Sequence, residues 1–444
     1  MNMTIPIIRE REYDVAVIGG GTAGFTAAIA AARNGAKTAV IERMGMLGGT
    51  MTVGGVCAPA LFHAHGRQII GGIGWELMTR LAEKGYASLP KAPFAEKHPL
   101  LAVEINPLQT GCEMDDMALE AGVHISYHQT LVHAEAENGT VSSIGVITAS
   151  GLERIRAKMF IDASGDGALC HMAGAEYEIG PELQPATLNF RLAGYTLNLS
   201  EREEISKKYA LALESGTLQA QDIWGGGFGA FVSGSGRKEN HGKCYQQNPG
   251  SNTNHVYPFN GADALSRTEG EIEGRRSIRR LLSWLNENVP GLENAYADSV
   301  SPMVTARESR RIIGNAYITG DDYINGVVPK DSVCYSFYPI DVHRGNTKEA
   351  LDNEFHKEGL VPGIPYGALT AKGFSNLFMA GRIASGDRRA QSAYRVQASC
   401  MAMGEAAGTA AALCVKENCS ASELDASLLQ NTLSRQGAIV PGLE

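Results

Sequence analysis

The chain has 444 residues, of which 44% are hydrophobic and 20% charged, so a disordered or fibrous protein is excluded and two or three globular domains are expected. The formal net charge is -9 at pH 7, and there is no long run of Lys or Arg. A nucleic-acid partner is therefore not expected.

Targeting and redox signals point to a cytoplasmic protein. Positions 9–12 alternate Arg and Glu where a secretory peptide would need an apolar core. The most apolar late stretch, residues 406–415, is too short to span a bilayer, so no membrane partner is expected. The eight cysteines show neither a CxxC pair nor metal-ligand spacing, which predicts reduced thiols and no bound metal.

The first predicted elements are a buried strand over residues 15–18, a glycine-rich turn and an alanine-rich helix that ends near Gly35. Gly19 makes the sharp turn, and Gly21 lets the backbone approach a pyrophosphate that a Cβ would keep away. Gly24 allows the helix to pack closely on the strand. The N–H groups at the start of the helix then point at the phosphates.

A second strand, residues 38–41, leads to Glu42. This acid follows Gly24 at close to the roughly 20 positions that the dinucleotide fingerprint requires. Its carboxylate accepts hydrogen bonds from both ribose hydroxyls and repels a 2′-phosphate. The sequence therefore predicts an adenine dinucleotide other than NADP, with NAD and FAD both open at this point.

Further along the chain we predict a second glycine-rich segment over 47–56, helices over 74–84 and 107–122, and an exposed loop over 85–103 between them. Short strands between residues 124 and 162 predict an antiparallel meander that returns to the parallel sheet. Residues 162–167 follow its last strand, at the sheet edge where ligands gather in open α/β folds.

Residues 185–360, called the middle segment below, lack a βαβ rhythm. They contain a predicted strand, a polar helix, a glycine-rich loop and a long helix, at 186–192, 201–214, 225–236 and 262–288. Strand, glycine turn and helix return over 376–416. We therefore expect a discontinuous dinucleotide domain formed by 1–184 and 361–444, with an inserted α+β substrate domain over 185–360.

Three features favour FAD over NAD. Gly48 and Gly49 follow Glu42 closely, where a nicotinamide dehydrogenase usually continues with further βαβ units. Residues 162–167 supply a third turn with little steric bulk. Gly381 supplies a fourth, followed by a helix whose N-terminus would stabilise the anionic N1–C2=O of a reduced flavin.

The chain resembles the FAD-dependent oxidoreductase family of the glutathione-reductase/succinate-dehydrogenase superfamily. The runs that carry the resemblance lie at 14–24, 47–50, 161–167, 307–312, 380–382, 395–396 and 404–408. It implies a glutathione-reductase-like FAD domain with non-covalent FAD. Cofactor contacts are predicted for Gly19, Gly21, Thr22, Ala23, Gly24, Glu42, Arg43, Gly48, Gly49, Thr50, Ala163, Ser164, Gly165, Gly381, Arg382 and Arg395.

One stretch departs from the family pattern: Arg388 and Arg389 stand where the family more often has a neutral run, which puts ring contacts there in doubt. The glycine-rich loop at 225–236 lacks a preceding strand and a following acid, so no NAD(P)H domain is expected. Electrons then leave through the substrate pocket or to a separate acceptor, either oxygen or a carrier. The sequence leaves open whether the chain forms a homo-oligomer.

For the proton transfer that accompanies hydride transfer, histidine is the suitable base near neutral pH. His63 and His65 would share one face of an extended segment, joined by Arg67. The alternative is that both are ordinary loop histidines.

Two further groups are candidates. Residues 338–344 contain Tyr338, Asp341 and His343, and the alternative is a solvated turn. Arg307 and Arg311 would share a face of a helix and could hold a carboxylate, although an ion pair with Glu308 or a domain-bridging role is an equal alternative. Cys57 could tether flavin or act as a redox thiol, but a buried packing role is favoured.

The leading function is a dehydrogenase or oxidase that takes hydride from a small polar substrate, hydroxylated or sugar-like. A reductase of an activated C=C bond is the alternative within flavin chemistry. A flavin-bearing binding or RNA-modification partner is the alternative outside catalysis, and an NAD-binding protein without flavin is a fourth.

Overall fold

The computed structural model describes residues 6–92, 101–196, 202–223, 236–240, 243–247, 253–345 and 351–443. Its helices are α1 (Thr22–Arg33), α2 (Gly72–Glu83), α3 (Pro107–Glu120), α4 (Ala168–Ala173), α5 (Arg202–Glu214), α6 (Ala264–Asn288), α7 (Gly320–Ile324), α8 (Arg388–Tyr394), α9 (Gln397–Glu417) and α10 (Ala426–Arg435).

Its strands are β1 (Ile7–Ile18), β2 (Thr38–Ile41), β3 (His63–Ala64), β4 (Arg67–Gln68), β5 (Ala87–Ser88), β6 (Glu104–Ile105), β7 (His124–Ser126), β8 (Thr130–Glu137), β9 (Thr140–Thr148), β10 (Gly151–Asp162), β11 (Tyr177–Glu178), β12 (Phe190–Ala193), β13 (Gly236–Asn240), β14 (Lys243–Gln247), β15 (Tyr296–Val300), β16 (Arg311–Ile312), β17 (Ser332–Tyr335), β18 (Ile340–His343), β19 (Leu351–Glu354), β20 (Gly363–Pro365) and β21 (Leu377–Met379).

The central sheet has seven strands in the order β7, β2, β1, β10, β9, β8, and β21 pairs with β10. β1 runs parallel to β2 and to β10, and β2 runs parallel to β7. All four residues of β2 are buried, as expected for a parallel strand covered on both faces. The predicted α/β fold class with its Rossmann-type dinucleotide sheet is confirmed. β8, β9 and β10 form the antiparallel meander, whereas the first strand predicted for it, β7, pairs in parallel with β2.

On the edge away from β1, strand β10 has two partners along its length. Residues 151–156 pair with β9 in antiparallel orientation, and residues 160–162 pair with β21 in parallel. The meander therefore ends where the strand from the carboxyl-terminal part of the chain enters the sheet. This brings the turn after β21 beside the turns after β1 and β10.

Helix α9 packs on α1 through two glycines. A Cβ at Gly404 would lie 2.0 Å from the carbonyl oxygen of Ala23, and one at Gly408 would lie 2.1 Å from that of Ala27. The hydroxyl of Thr26 donates to the carbonyl of Met401 at 2.7 Å. Small residues at these positions allow the two helix backbones to approach closely, so both ends of the chain form one helix layer on the sheet.

Among the described residues, helix α9 is the one helix that is long and apolar enough to cross a membrane; its 21 residues exceed the apolar stretch that the sequence indicated. However, 94% of its most apolar window is buried inside the protein. A buried core helix has the same composition.

The middle segment has its own apolar cluster. Helix α6 contributes Ile278, Leu281, Trp284 and Leu285 to it, and β12 contributes Phe190 and Leu192. The predicted polar and long helices correspond to α5 and α6, whereas the strand predicted over 186–192 is shorter and shifted to β12. Residues 225–235 of the predicted glycine-rich loop lie outside the described residues. The domain boundaries at 184 and 360 remain a prediction.

Candidate active site

The glycine turn after β1 leaves room for a ligand at one position. Gly19 has a φ of +93°, and a Cβ there would lie 2.5 Å from the carbonyl oxygen of Ala163. A Cβ at Gly21 would have a single described atom within 4 Å, the Cα of Gly49 at 4.0 Å. The turn is thus closed against β10 at Gly19 and open at Gly21, where a pyrophosphate would approach.

The second glycine pair lies against the first. The N–H of Gly48 donates to the carbonyl of Gly20 at 2.8 Å, and both Gly48 and Gly49 have positive φ. Gly21 caps α1 without a side-chain hydrogen bond in the described structure. The first N–H groups of α1 therefore remain available to an anion, with Thr22 and Ala23 in the first turn.

Glu42 lies at the carboxyl end of β2 and is 7% exposed. Its carboxylate accepts hydrogen bonds from the N–H of Gly20 at 2.7 Å and from the N–H of Met44 at 2.8 Å. Burial raises the pKa of Glu42, while those two N–H groups and the neighbouring Arg43 oppose the increase. The acid is therefore fixed beside the glycine turn, where an adenosine ribose would bind.

Arginines surround Asp166 at the ends of β10 and β21. Arg382 Nη2 donates to Asp166 Oδ1 at 2.7 Å, and Arg267 Nη2 donates to Asp166 Oδ2. Burial alone would raise the pKa of Asp166, but Arg382 and Arg267 hold it below its ordinary value. A Cβ at Gly165 would lie 3.0 Å from Cζ of Arg382, so that glycine lets the guanidinium lie over the turn. Ser164 in the same turn donates to Asp162 at 2.6 Å.

A second polar cluster lies at β18. His343 Nε2 is 3.0 Å from Asp341 Oδ2, and His343 Nδ1 is 3.2 Å from His255 Nε2. The exposed fractions of the three side chains are 13% for Asp341, 4% for His343 and 2% for His255. The alternative of a solvated turn over 338–344 is therefore wrong, because this group is buried.

Electrostatics keep both histidines neutral. Burial and the nearby Arg307 lower the pKa of His343 to about 3, although Asp341 opposes this change. Burial and Arg307 also lower the pKa of His255. A neutral His343 that donates from Nε2 to Asp341 must accept at Nδ1 from His255, so the three groups form a directed chain of hydrogen bonds.

Arg307 is buried in this cluster at 8% exposure, and its Nη1 donates to the carbonyl of Pro185 at 2.7 Å. Burial and the nearby Arg395 lower the pKa of Arg307 to about 9, while Asp341 and Tyr338 act in the opposite direction. The amide Nδ2 of Asn254 and Nε2 of Gln184 are buried without a hydrogen-bond partner among the described residues. The cluster is rich in donors and suits a ligand with oxygen acceptors.

A short segment connects this cluster to the glycine turns. Arg395 Nη2 donates to the carbonyl of Asp341 at 3.3 Å, and Gln397 Nε2 donates to Thr50 Oγ1 at 3.2 Å and to the carbonyl of Val56 at 3.0 Å. Helix α9 begins at Gln397 without a side-chain cap in the described structure. The start of α9 thus lies between Asp341 and Thr50, and its helix dipole would suit the anionic edge of a bound flavin ring.

The structure separates His63 from His65. Strand β3 ends at Ala64, and His65 has a φ of +47° in the turn, so the expectation that both share an extended face with Arg67 is wrong. His63 is buried with its ring 5.1 Å from that of Trp75, whereas His65 is exposed with its ring 5.1 Å from that of Phe337. A catalytic role for either stays a prediction.

Residues 307–310 are not helical, and Arg311 begins β16, so the predicted shared helix face of Arg307 and Arg311 is wrong. Arg311 instead pairs with the buried Glu308 at 2.7 Å, and Arg388 donates to the same carboxylate at 3.2 Å. Arg389 pairs with Glu354 at 2.7 Å. The two extra cations at 388 and 389 are thereby engaged in ion pairs within the protein.

Cys57 is buried, and burial raises the pKa of its thiol. That environment favours a packing role over a reactive thiolate. His255, Gln184 and Arg267 belong to the two polar clusters but were not predicted from the sequence. No recognisable motif contains the dipeptide Asn254-His255, which follows the glycine-rich loop. Arg267 lies among other charged residues of α6, so its position did not distinguish it.

Three features together define a flavin-dependent oxidoreductase. They are a dinucleotide turn with an open Gly21, an acid at the ribose position, and a polar cluster at the start of a second helix. The chain belongs to the FAD dependent oxidoreductase family, whose model matches residues 14–433. FAD is its cofactor, and the predicted family, enzyme class and cofactor are confirmed; NAD binding without flavin is not supported.

Curated relatives match parts of the chain. A dihydrolipoyl dehydrogenase from Trypanosoma brucei brucei is 55% identical over 53 residues, 12% of this chain and 11% of the relative. A thiamine thiazole synthase from Methanothermobacter thermautotrophicus is 30% identical over 182 residues, 39% of this chain and 63% of the relative. The chain thus covers about a tenth of the first relative and under two thirds of the second.

Among solved structures, a geranylgeranyl bacteriochlorophyll reductase-like protein from Thermoplasma acidophilum is similar with a TM-score of 0.45 and 14% identity, over 96% of this chain and 84% of that chain. A quinol fumarate reductase chain from E. coli has a TM-score of 0.44 and 12% identity, over 96% of this chain and 75% of that chain.

Proposed function

We propose that this flavoenzyme removes hydride from a C–H bond of a small polar, hydroxylated or sugar-like molecule. The observation that supports this proposal is the buried chain Asp341, His343, His255 beside the start of α9. FAD supplies the redox chemistry, since flavin N5 accepts the hydride when the cofactor is bound. The protein must then hold the substrate and remove one proton.

The histidine pair fits the role of proton acceptor. A neutral imidazole can take the hydroxyl proton as the C–H bond breaks, and the lowered pKa values of His343 and His255 keep both rings neutral at neutral pH. Asp341 stabilises the imidazolium that forms, because its carboxylate is 3.0 Å from His343 Nε2. Arg307 and the amide of Gln184 supply donors for the substrate oxygens.

Anaerobic mixing tests the proposal. The purified protein is mixed with a panel of alcohols, hydroxy acids and sugars, and the absorbance of oxidised flavin is followed. We expect at least one compound to bleach it, and admitting oxygen then tests whether oxygen is the acceptor. If dithionite bleaches the flavin while every compound in the panel fails, the proposal is wrong.

A second candidate is reduction of an activated C=C bond. Arg307 and Tyr338 lie in the same cluster, and either could return a proton to carbon after hydride addition. Dithionite-reduced protein should then be reoxidised by an enoate under anaerobic conditions. Reoxidation by none of a series of enoates would remove this candidate.

A further inference from the structure

We infer that Arg267 is an FAD-binding residue that the middle segment contributes to the diphosphate and adenosine end of the cofactor site. This inference depends on FAD binding and not on the proposed hydride transfer. It also goes beyond the glycine turns, because Arg267 lies on α6 and outside every dinucleotide motif in the sequence.

The position of Arg267 is fixed by two contacts. Its Nε donates to the carbonyl of Gly261 at 2.6 Å, and its Nη2 donates to Asp166 Oδ2. The other carboxylate oxygen of Asp166 accepts a hydrogen bond from Arg382 at 2.7 Å. The carboxylate of Asp166 therefore holds two guanidinium groups side by side. Arg267 comes from the middle segment, and Arg382 comes from the carboxyl-terminal part of the chain.

This pair lies at the edge of the dinucleotide site. Arg382 lies over Gly165, two residues after Ala163, and the carbonyl of Ala163 faces Gly19. Arg43 follows Glu42 and reaches the middle segment, with its Nη2 3.6 Å from the sulfur of Met303. The turns after β1, β2, β10 and β21 thus lie at one end of the sheet, and Arg267 contacts the turn after β10 through Asp166.

Among the described residues at this edge, guanidinium groups outnumber carboxylates. Three guanidinium groups, those of Arg43, Arg267 and Arg382, are near two carboxylates, those of Glu42 and Asp166. Arg310 adds a fourth cation, with its Nη1 3.0 Å from the carbonyl of Asp166. The FAD diphosphate carries two negative charges, so its binding would relieve the repulsion among these arginines.

The test measures FAD affinity. The flavoprotein is diluted, and released FAD is quantified by its fluorescence for the wild type, Arg267→Gln and Arg267→Lys. Arg275→Gln is the matched control, because Arg275 lies on the same helix with a side chain 59% exposed. We expect Arg267→Gln to raise the Kd for FAD about tenfold, as expected for a lost charge-assisted contact, and Arg275→Gln to leave it unchanged.

Two further readouts separate ligand binding from a purely structural role. The Kd for ADP, measured on protein depleted of FAD by dilution, should rise in Arg267→Gln by the same factor as the Kd for FAD, because ADP shares the diphosphate and adenosine with FAD. On the wild type, ADP should protect Arg267 from modification by phenylglyoxal, which is measured by peptide mass. This second measurement needs no variant, so it tests the inference even if Arg267→Gln misfolds. The inference is wrong if Arg267→Gln and Arg275→Gln bind FAD with the same affinity and also bind ADP with the same affinity. It is also wrong if ADP does not slow the modification of Arg267. Loss of FAD affinity with unchanged substrate chemistry would leave the proposed function intact.

Discussion

The carboxylate of Glu405, on α9, accepts a hydrogen bond from the backbone N–H of Ile73 at 2.9 Å and so caps the first turn of α2 from another part of the fold. Gly71, the N-cap residue of α2, supplies no side chain for this purpose. A Cβ at Gly72 would lie 2.2 Å from Glu405, so a glycine there makes room for the buried acid.

Glu405 should make the stability of the protein depend on pH. Burial raises its pKa to about 8, opposed by the N–H of Ile73 and by Arg33 and reinforced by Glu76. A raised folded-state pKa means that the folded protein holds a proton that the unfolded chain releases. The stabilisation is therefore full below the unfolded value of 4.5 and is lost as pH rises through about 8.

We therefore expect the free energy of unfolding of the wild type to fall between pH 5 and 8 more steeply than that of Glu405→Gln, by at most about 1.4 kcal/mol per pH unit. Denaturant titrations at several pH values measure this difference. Glu417→Gln, exposed at the end of the same helix, is the control. Parallel curves for the wild type and Glu405→Gln would contradict the assignment.

His343→Asn should slow flavin reduction by substrate by roughly 100-fold or more, because it breaks the histidine pair that accepts the proton, and hydride transfer still needs a proton acceptor. Asp341→Asn should lower the rate as well, since the amide no longer stabilises the imidazolium. Stopped-flow absorbance gives both rates, and His133→Asn, on the exposed surface of β8, is the control. A His343→Asn rate within threefold of wild type at equal FAD content would exclude the role.

Glu42→Gln should weaken FAD binding by about tenfold, since a carboxylate accepts hydrogen bonds from ribose hydroxyls more strongly than an amide. Glu42→Ala should also reduce stability by about 1–3 kcal/mol, because the buried N–H groups of Gly20 and Met44 lose their acceptor. FAD fluorescence and denaturant titration measure the two effects. Glu83→Gln, exposed on α2, should change neither. An unchanged FAD affinity in Glu42→Ala would contradict the ribose assignment.

Gly404→Ala should destabilise the protein by about 1–3 kcal/mol, because its Cβ would overlap the carbonyl of Ala23 and force α1 and α9 apart. The midpoint of thermal unfolding should fall, and FAD content should fall with it, since α1 carries the phosphate-binding N-terminus. Lys416→Ala, exposed on the last turn of α9, is the reference. A midpoint equal to that of the reference would show that the helices have more space than the structure indicates.

The sequence predicted β1, α1, β2 and Glu42 well, because their signals are local: a buried apolar run, glycines at fixed spacing and an acid at the end of a strand. It also placed Tyr338, Asp341 and His343 together, since they are neighbours in the chain. The predicted helix at Arg307 was wrong because cations four residues apart fit helical spacing by chance, whereas Arg311 pairs across strands with Glu178.

The partners that complete each site come from far along the chain and carry no local signal. His255 is 88 residues from His343, and Arg267 is 101 residues from Asp166. Nothing in the composition around either residue distinguishes it from an ordinary buried or surface side chain. Their positions depend on how the middle segment packs on the sheet, which hydrophobic periodicity does not encode.

The bond between Thr26 and Met401 spans 375 residues. During synthesis the phosphate-binding turn leaves the ribosome well before α9, so α1 can pack on α9 only after Gln397 has been made, and β21 also enters the sheet late. An early-terminated chain would therefore contain the whole glycine fingerprint with the α9-facing side of α1 exposed. Nascent chains arrested before residue 377 should thus be sensitive to protease and retain little FAD, whereas full-length chains should be protected.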